Sequence, residues 1–367
     1  MKIALPSCLY MASSQVLCGE FMERMQVNRK LAIAYCLPSY LPINQMDRGD
    51  LTQQAGIISS LRSRGHCLTI CYPRDLSSIE TIAHDGARQI APRSWSASMP
   101  FEFVSRVAWR LQRFLGVPYL NVFANLRFWD SYISLLSTFD VVFERHGIYR
   151  TAIARACRRL GKPHVLFFDA DPLFEQEYAG QPVKGLLRWR AIQTIRYSLN
   201  AADRVICVCD AARDRLIKVW GVRPERIVTL PNGVDVAHHR PIPESRRSVR
   251  ERYGLDTEPV VIFVGAFSPW HDVEGLLRAF SSVVRSCPTA RLLLVGEGDG
   301  RPQAEALACK LGLGKSVAFL GRVPHQSVPE LLSAADIAVA PYARMQTEFW
   351  GSPMKIFEYM ACGAAIV

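Results

Sequence analysis

The chain has 367 residues, 49% of them apolar, with 44 Lys and Arg against 33 Asp and Glu and a net charge of +11. That length supports two domains with a core each, and the apolar content excludes a disordered polypeptide. The basic residues are scattered (Arg158-Arg159, Arg188 with Arg190, Arg246-Arg247), which excludes a nucleic-acid-binding arm but fits phosphorylated small molecules or anionic lipid as partners.

In residues 1–28, Lys2 and Ile3-Ala4-Leu5 sketch a leader, but Pro6, Ser13, Ser14 and Gln15 interrupt the apolar core that a signal peptide needs. An extension, or a misassigned start with Met25 as the true one, is expected there. No apolar run reaches 18 residues, so no membrane span is expected. The 11 cysteines fall mostly in apolar runs (Cys36, Cys71, Cys207, Cys209), without Cys-x-x-Cys or His/Cys metal spacing. Reduced thiols, a cytoplasmic chain and no metal are the expectation.

From Lys30 onward short apolar runs alternate with helical periodicity. Strands are predicted at Leu31–Leu37, Cys67–Tyr72, Val117–Phe123, Asp140–Phe143, His164–Phe168 and Arg204–Val208. Helices are predicted at Thr52–Arg64, Leu126–Leu136, Thr151–Leu160 and Leu186–Leu199. A Pro- and charge-rich stretch, 241–258, is expected to link two domains and to carry a short helix near Arg246–Tyr253. The alternation then resumes, with strands at Val260–Val264, Ala290–Val295, Val317–Leu320, Ile337–Ala340 and Ala364–Val367. The intervening helices are Val273–Arg285, Gln303–Leu311, Val328–Ala334 and Ser352–Met360. This rhythm predicts an α/β chain of two tandem Rossmann-like, doubly wound domains, 29–240 and 259–367, with ligands in the cleft at the carboxyl ends of the strands.

The residues just after each strand are therefore the candidates. Gly49, ahead of a helix, lets backbone N–H groups approach an anion. Gly265 and His271 follow the first strand of the second domain; His271 could meet a phosphate or cap a helix. Gly296, Gly298 and Gly300 match a dinucleotide fingerprint poorly, because the third glycine comes one residue early. His146 follows the strand at 140–143. Asp169 and Asp171 could bind acceptor hydroxyls or form a helix cap before Pro172. Ser352 and Pro353 read as N-cap and N1 of a helix whose first turn carries Lys355. A cation there opposes the helix dipole and so calls for an anionic partner. Glu358 shares a face with Met354 and Cys362 and needs a donor, such as a ribose hydroxyl, if it is buried.

Five segments in this order resemble the retaining glycosyltransferases of family 4, which have the GT-B fold. They are Ala202–Val208, Pro231-Asn232-Gly233-Val234-Asp235, Phe319–Val323, Ala335–Pro341 and Ser352–Gly363. The resemblance implies transfer of a sugar from a nucleoside diphosphate donor with retained configuration and no bound metal or other cofactor. It places the donor on the second domain and the acceptor on the first. Glu358 would then bind the ribose, Ser352–Lys355 and Gly49 would approach the diphosphate, and His146 would contact the sugar.

The sequence departs from that pattern where an acidic residue is usual: Trp350 stands there, and Glu348 is expected to take over the sugar contact. Ala266 and His271 stand where Arg and Lys usually neutralise the diphosphate. The family also continues beyond the strand opening at Ala364, so an incomplete second domain, as in a gene fragment, is expected. A glycan or lipid-linked acceptor fits the positive charge, and the basic, Trp-bearing helix 184–199 suggests a peripheral contact with the inner face of the cell membrane. A non-catalytic nucleotide-binding scaffold is the alternative.

Overall fold

The computed structural model describes residues 29–39, 49–178, 180–343 and 351–367. The first sheet comprises β1 (Ala32–Cys36), β2 (Cys67–Pro73), β3 (Ile79–Ile82), β4 (Arg88–Ile90), β5 (Val141–Arg145), β6 (His164–Phe167), β7 (Arg204–Cys207) and β8 (Ile227–Thr229). Their order is β4-β3-β2-β1-β5-β6-β7-β8, parallel throughout except at the β2–β3 and β3–β4 pairs. The second sheet comprises β9 (Val260–Val264), β10 (Arg291–Val295), β11 (Val317–Gly321), β12 (Ile337–Ala338) and β13 (Ala365–Ile366). It is parallel and ordered β11-β10-β9-β12-β13.

Strand alternation shows directly that both sheets are covered on two faces. On β1, Ala34 and Cys36 enter one core with Phe128, Tyr132 and Ala156, while Ile33 and Tyr35 enter another with Leu68 and Ile70. On β10, Leu292 and Leu294 pack with Phe263 and Phe280, and Leu293 and Val295 pack with Leu331 and Tyr359. Strands buried on both faces need continuous apolar runs, and the sequence supplies them. The result is two Rossmann-like sheets in tandem, as expected.

Some regions differ from the sequence reading or were missed by it, β8 and helices Pro172–Tyr178 and Asp210–Lys218 among the latter. Val117–Phe123 is not a strand. Gly116 (φ 62°) and Asn121 (φ 57°) turn the chain around Pro118, and the aromatic run becomes helix Val122–Leu136. β3, β4 and helix Met99–Phe114 extend the first sheet's side of the molecule; β4 is exposed along its length, so no alternation marks it. The stretch 241–258 carries the expected short helix, Ser245–Arg252, but packs into the second domain's core through Val249. Arg250 donates to the carbonyls of Ala334 (2.9 Å) and Asp256 (2.7 Å), and Arg246 to those of Ser333 and Ala335. Arginines on the last carbonyls of helix Val328–Ala334 complete that helix end.

Candidate functional site

Between the two sheets lies a cavity of about 270 Å³. Asp169, Asp171, Phe174, Glu175 and Tyr178 line it from the first domain; Trp270, His271, Tyr342 and Gly351–Pro353 line it from the second. The residues after β6 and β9 thus meet in one cleft, where parallel strands end and helices begin.

Helix Met354–Ala361 is locked onto the second sheet by Tyr359. Its hydroxyl accepts from the backbone N–H of Val264 at 2.9 Å, while the ring is fully buried. That lock carries Lys355 to the end of β9. Lys355 is 9% exposed, and its Nζ has no hydrogen-bond partner among the described residues. The nitrogen lies 4.4 Å over the ring of Phe263 and 5.7 Å over that of Tyr342. Burial pushes the Lys355 amine down to about 7, with Glu358 pulling it up. A Cβ on Gly265 would stand 2.5 Å from this Nζ, so only glycine leaves the amine its place.

His271 behaves differently from the phosphate-binding expectation. Its Nδ1 lies 2.6 Å from the carbonyl of Ala266, which can only accept, so Nδ1 carries the proton. Burial, then the Lys355 charge, lowers its pKa to about 4. The neutral ring presents Nε2 as an acceptor, suited to a hydroxyl rather than a phosphate oxygen.

Ser352 is not a helix cap: the helix begins at Met354, Pro353 occupies the cap position, and no side chain caps it. The Ser352 hydroxyl instead accepts from the backbone N–H of Asn232 at 3.0 Å, and the Asn232 amide donates to the Ser352 carbonyl at 2.6 Å. Asn232 also bonds Gln53, on helix Gly49–Ser63 of the first domain. The Pro231–Asp235 segment therefore clasps the two domains beside the cleft. Gly49 is the first described residue of helix Gly49–Ser63.

The two first-domain aspartates divide. Asp169 forms an ion pair with Arg145 at 2.7 Å and remains half-buried on the cleft wall. Asp171 is committed inward. Its Oδ1 accepts from the N–H groups of Leu173 (3.0 Å) and Phe174 (3.4 Å), and its Oδ2 accepts from Arg215 (2.7 Å) and Trp220 (3.0 Å). With both oxygens spent, Asp171 is a cap and core anchor, and the acceptor-binding reading is corrected for that residue. His146 is buried against Phe168, with both ring nitrogens lacking a described partner, and burial lowers its pKa. It does not line the cleft cavity. Glu348 and Trp350 lie outside the described residues.

Gly296 and Gly298 are explained by packing: a Cβ on either would meet the backbone of Gly265 or Phe267 within 2.8 Å. They allow the loops after β9 and β10 to run in contact, which removes the dinucleotide reading.

Two features escaped sequence reasoning. Glu175 faces the cleft, where desolvation of its carboxyl by the walls and the neighbouring Asp169 raise its pKa to about 7 against the pull of Arg145. Glu358, 6% exposed, accepts from His325 at 2.9 Å and has His239 at 3.9 Å. No local spacing signals either arrangement.

Residues 55–238 match the family described as Glycosyltransferase Family 4, and residues 258–367 match Glycosyl transferases group 1. The chain belongs to glycosyltransferase family 4. It is 30% identical over 187 residues to the GDP-mannose-dependent alpha-(1-6)-phosphatidylinositol monomannoside mannosyltransferase of Mycolicibacterium smegmatis, covering 49% of this chain and 48% of that one. It is 32% identical over 179 residues to D-inositol 3-phosphate glycosyltransferase 2 of Catenulispora acidiphila, covering 46% and 40%. The matched segment spans less than half the length of each of these curated relatives. The fold is similar to that of Anabaena HepE solved with UDP and glucose, with a TM-score of 0.61 and 18% identity over 92% of this chain and 80% of that one. This is the GT-B arrangement of two Rossmann-like domains.

Proposed function

We propose that this glycosyltransferase moves a sugar from a nucleoside diphosphate donor to a glycan or lipid-linked acceptor, with retained configuration and without a metal in the reaction. The observation that carries this reading is the buried, unpartnered amine of Lys355 at the first turn of helix Met354–Ala361, held against Gly265 beside the interdomain cavity. A buried amine without a hydrogen-bond partner is costly, and an anion at the helix N-terminus offsets that cost. Binding of the diphosphate would draw the amine from between Phe263 and Tyr342 toward the cleft. There it would stabilise the charge that develops on the leaving phosphate.

In this reading Glu358 receives the ribose hydroxyls and Gly265 and Gly49 let the backbone approach the phosphates. Ser352 and His271 line the path of the sugar, Glu348 is kept as the expected sugar contact, and His146 stands behind the first-domain wall. Asp169 is the acceptor-side carboxylate. The names of the relatives make GDP-mannose a first donor to try, and the UDP of the Anabaena structure makes UDP-glucose a second.

A lipid-bearing acceptor also fits the first domain's surface. Helix Met99–Phe114 exposes Met99, Phe103, Trp109 and Phe114 together with Arg106, Arg110 and Arg113, and helix Gly185–Ala201 exposes Trp189 beside Arg188. Apolar and basic side chains so mixed suit an anionic membrane surface. No helix among the described residues is long and apolar enough to cross a membrane.

The test is thermal stabilisation by a panel of nucleoside diphosphates and nucleotide sugars, followed by anomeric analysis of product from the best donor. Stabilisation by a diphosphate and an α-product from an α-donor support the reading. Equal stabilisation by nucleosides lacking phosphate would overturn it.

A further inference from the structure

Beside the donor helix, three imidazoles from two distant stretches converge. His238 and His239 follow the Pro231–Asp235 clasp, with both backbone N–H groups donating to the carbonyl of Asp235. His325 follows β11. One ring nitrogen from each lies within 4.8 Å of the other two. His239 is 2% exposed, yet neither of its ring nitrogens has a described hydrogen-bond partner, and Nε2 of His238 has none either. Glu358 adds a carboxylate at the edge of the group, with its Oε1 at 2.9 Å from His325 and 3.9 Å from His239.

Buried imidazole nitrogens ordinarily find a donor or acceptor, because each unmet one costs desolvation energy. Here several unmet nitrogens face one another around a single carboxylate. An ion with imidazole and carboxylate ligands engages one nitrogen of each ring at once. A tetrahedral Zn²⁺ site places its nitrogens about 3.4 Å apart, so each ring need close by less than about 1 Å. Three nitrogens and one oxygen select a borderline cation such as Zn²⁺ over Mg²⁺ or Ca²⁺.

We propose that His238, His239 and His325, with Glu358, form a binding site for a transition-metal dication of the Zn²⁺ class, and that occupancy opposes donor binding. The second half rests on the assignment of Glu358 to the donor ribose: a dication beside Glu358 holds the carboxylate by charge and withdraws it from the ribose hydroxyls. The site is thus regulatory and has no part in the transfer step.

The experiment titrates the full chain, without nucleotide, with ZnCl₂ by calorimetry and with Co²⁺ by visible absorption. One ion per chain, with the intense d–d bands of four-coordinate Co²⁺, is expected. His238→Ala, at a half-buried member and so compatible with folding as judged by circular dichroism, is expected to weaken Zn²⁺ by at least about tenfold. Wild-type affinity in His238→Ala, or octahedral Co²⁺ spectra, would overturn the site. Nucleoside diphosphate affinity is then measured with and without Zn²⁺, where Zn²⁺ is expected to weaken it in the wild type and not in His238→Ala. Unchanged affinity in the wild type overturns the opposition alone, and failure of every nucleotide to bind overturns the donor reading while leaving the metal result standing.

Discussion

The amine of Lys355 and the α-carbon of Gly265 are matched across the carboxyl end of the second sheet: a Cβ at Gly265 would come within 2.5 Å of Nζ and 3.1 Å of the Phe263 ring. Gly265→Ala should therefore displace the amine while leaving the sheets assembled. We expect nucleoside diphosphate affinity to fall by about tenfold, equivalent to about 1.4 kcal/mol, with the cooperative unfolding transition retained. Calorimetric titration checks this, and an unchanged dissociation constant would refute the role given to the pair.

Donor binding should depend on pH through Lys355. Its amine titrates at about 7 in the free chain because burial opposes the charge. A bound diphosphate favours the charged form and raises that value. Affinity is then full below pH 7 and falls with rising pH, by up to about tenfold per unit, until the bound-state value is reached. Above pH 7 binding takes up a proton, detectable by calorimetry at pH 8 in buffers of different ionisation enthalpy. Lys355→Met should abolish the uptake.

The same residue shapes the stability of the unliganded chain. An unfolded lysine holds its proton to about pH 10.4, whereas the folded one releases it from about 7. Between those values the unfolded state binds more protons, so stability rises with pH through that window. Denaturant midpoints at pH 7 and pH 9.5 should show a larger rise in the wild type than in Lys355→Met.

Asp171 and Asp169 should separate stability from function. Asp171→Ala removes a cap and the acceptor shared by Arg215 and Trp220, so a loss of about 2–4 kcal/mol in urea unfolding is expected. Asp169→Asn, at a half-buried ion pair with Arg145, should change stability by less than about 1 kcal/mol while lowering kcat/KM for the acceptor. The reverse pattern would reassign the two.

Asn232 holds Gln53 and Ser352 together across the domains. Asn232→Ala keeps the backbone donor but removes the side-chain links. We expect small-angle scattering of the variant to show a wider distribution of interdomain distances, with a raised KM for both substrates. A scattering profile identical to wild type would sink the clasp.

Much of the fold was legible in the sequence because its signals are local. Buried parallel strands demand apolar runs and covering helices demand a 3.6-residue period, so β1, β9 and β10 stand out within their own residues. Lys355 and Glu358 were legible as a pair because one helix presents them. β4 was not, because an exposed edge strand carries no alternation, and the Val117–Phe123 run misled because its apolar residues serve a turn and a helix start rather than a strand.

What the sequence by itself determined is therefore the two doubly wound sheets and the helix that carries Lys355 and Glu358. What only the tertiary structure decided is where side chains spend their polar atoms. Asp169 and Asp171, two residues apart, look equivalent in the text; both border the cleft, but Arg215 and Trp220 hold the carboxylate of Asp171 while Arg145 pairs that of Asp169. His271 resembles a phosphate ligand until the Ala266 carbonyl fixes its tautomer. His239 and His325 become neighbours of each other and of Glu358 only through the packing of three separate stretches of chain. Hydrogen bonding and ligation act through space at about 3 Å, and residues separated by several strands and helices carry no periodicity that announces such a meeting.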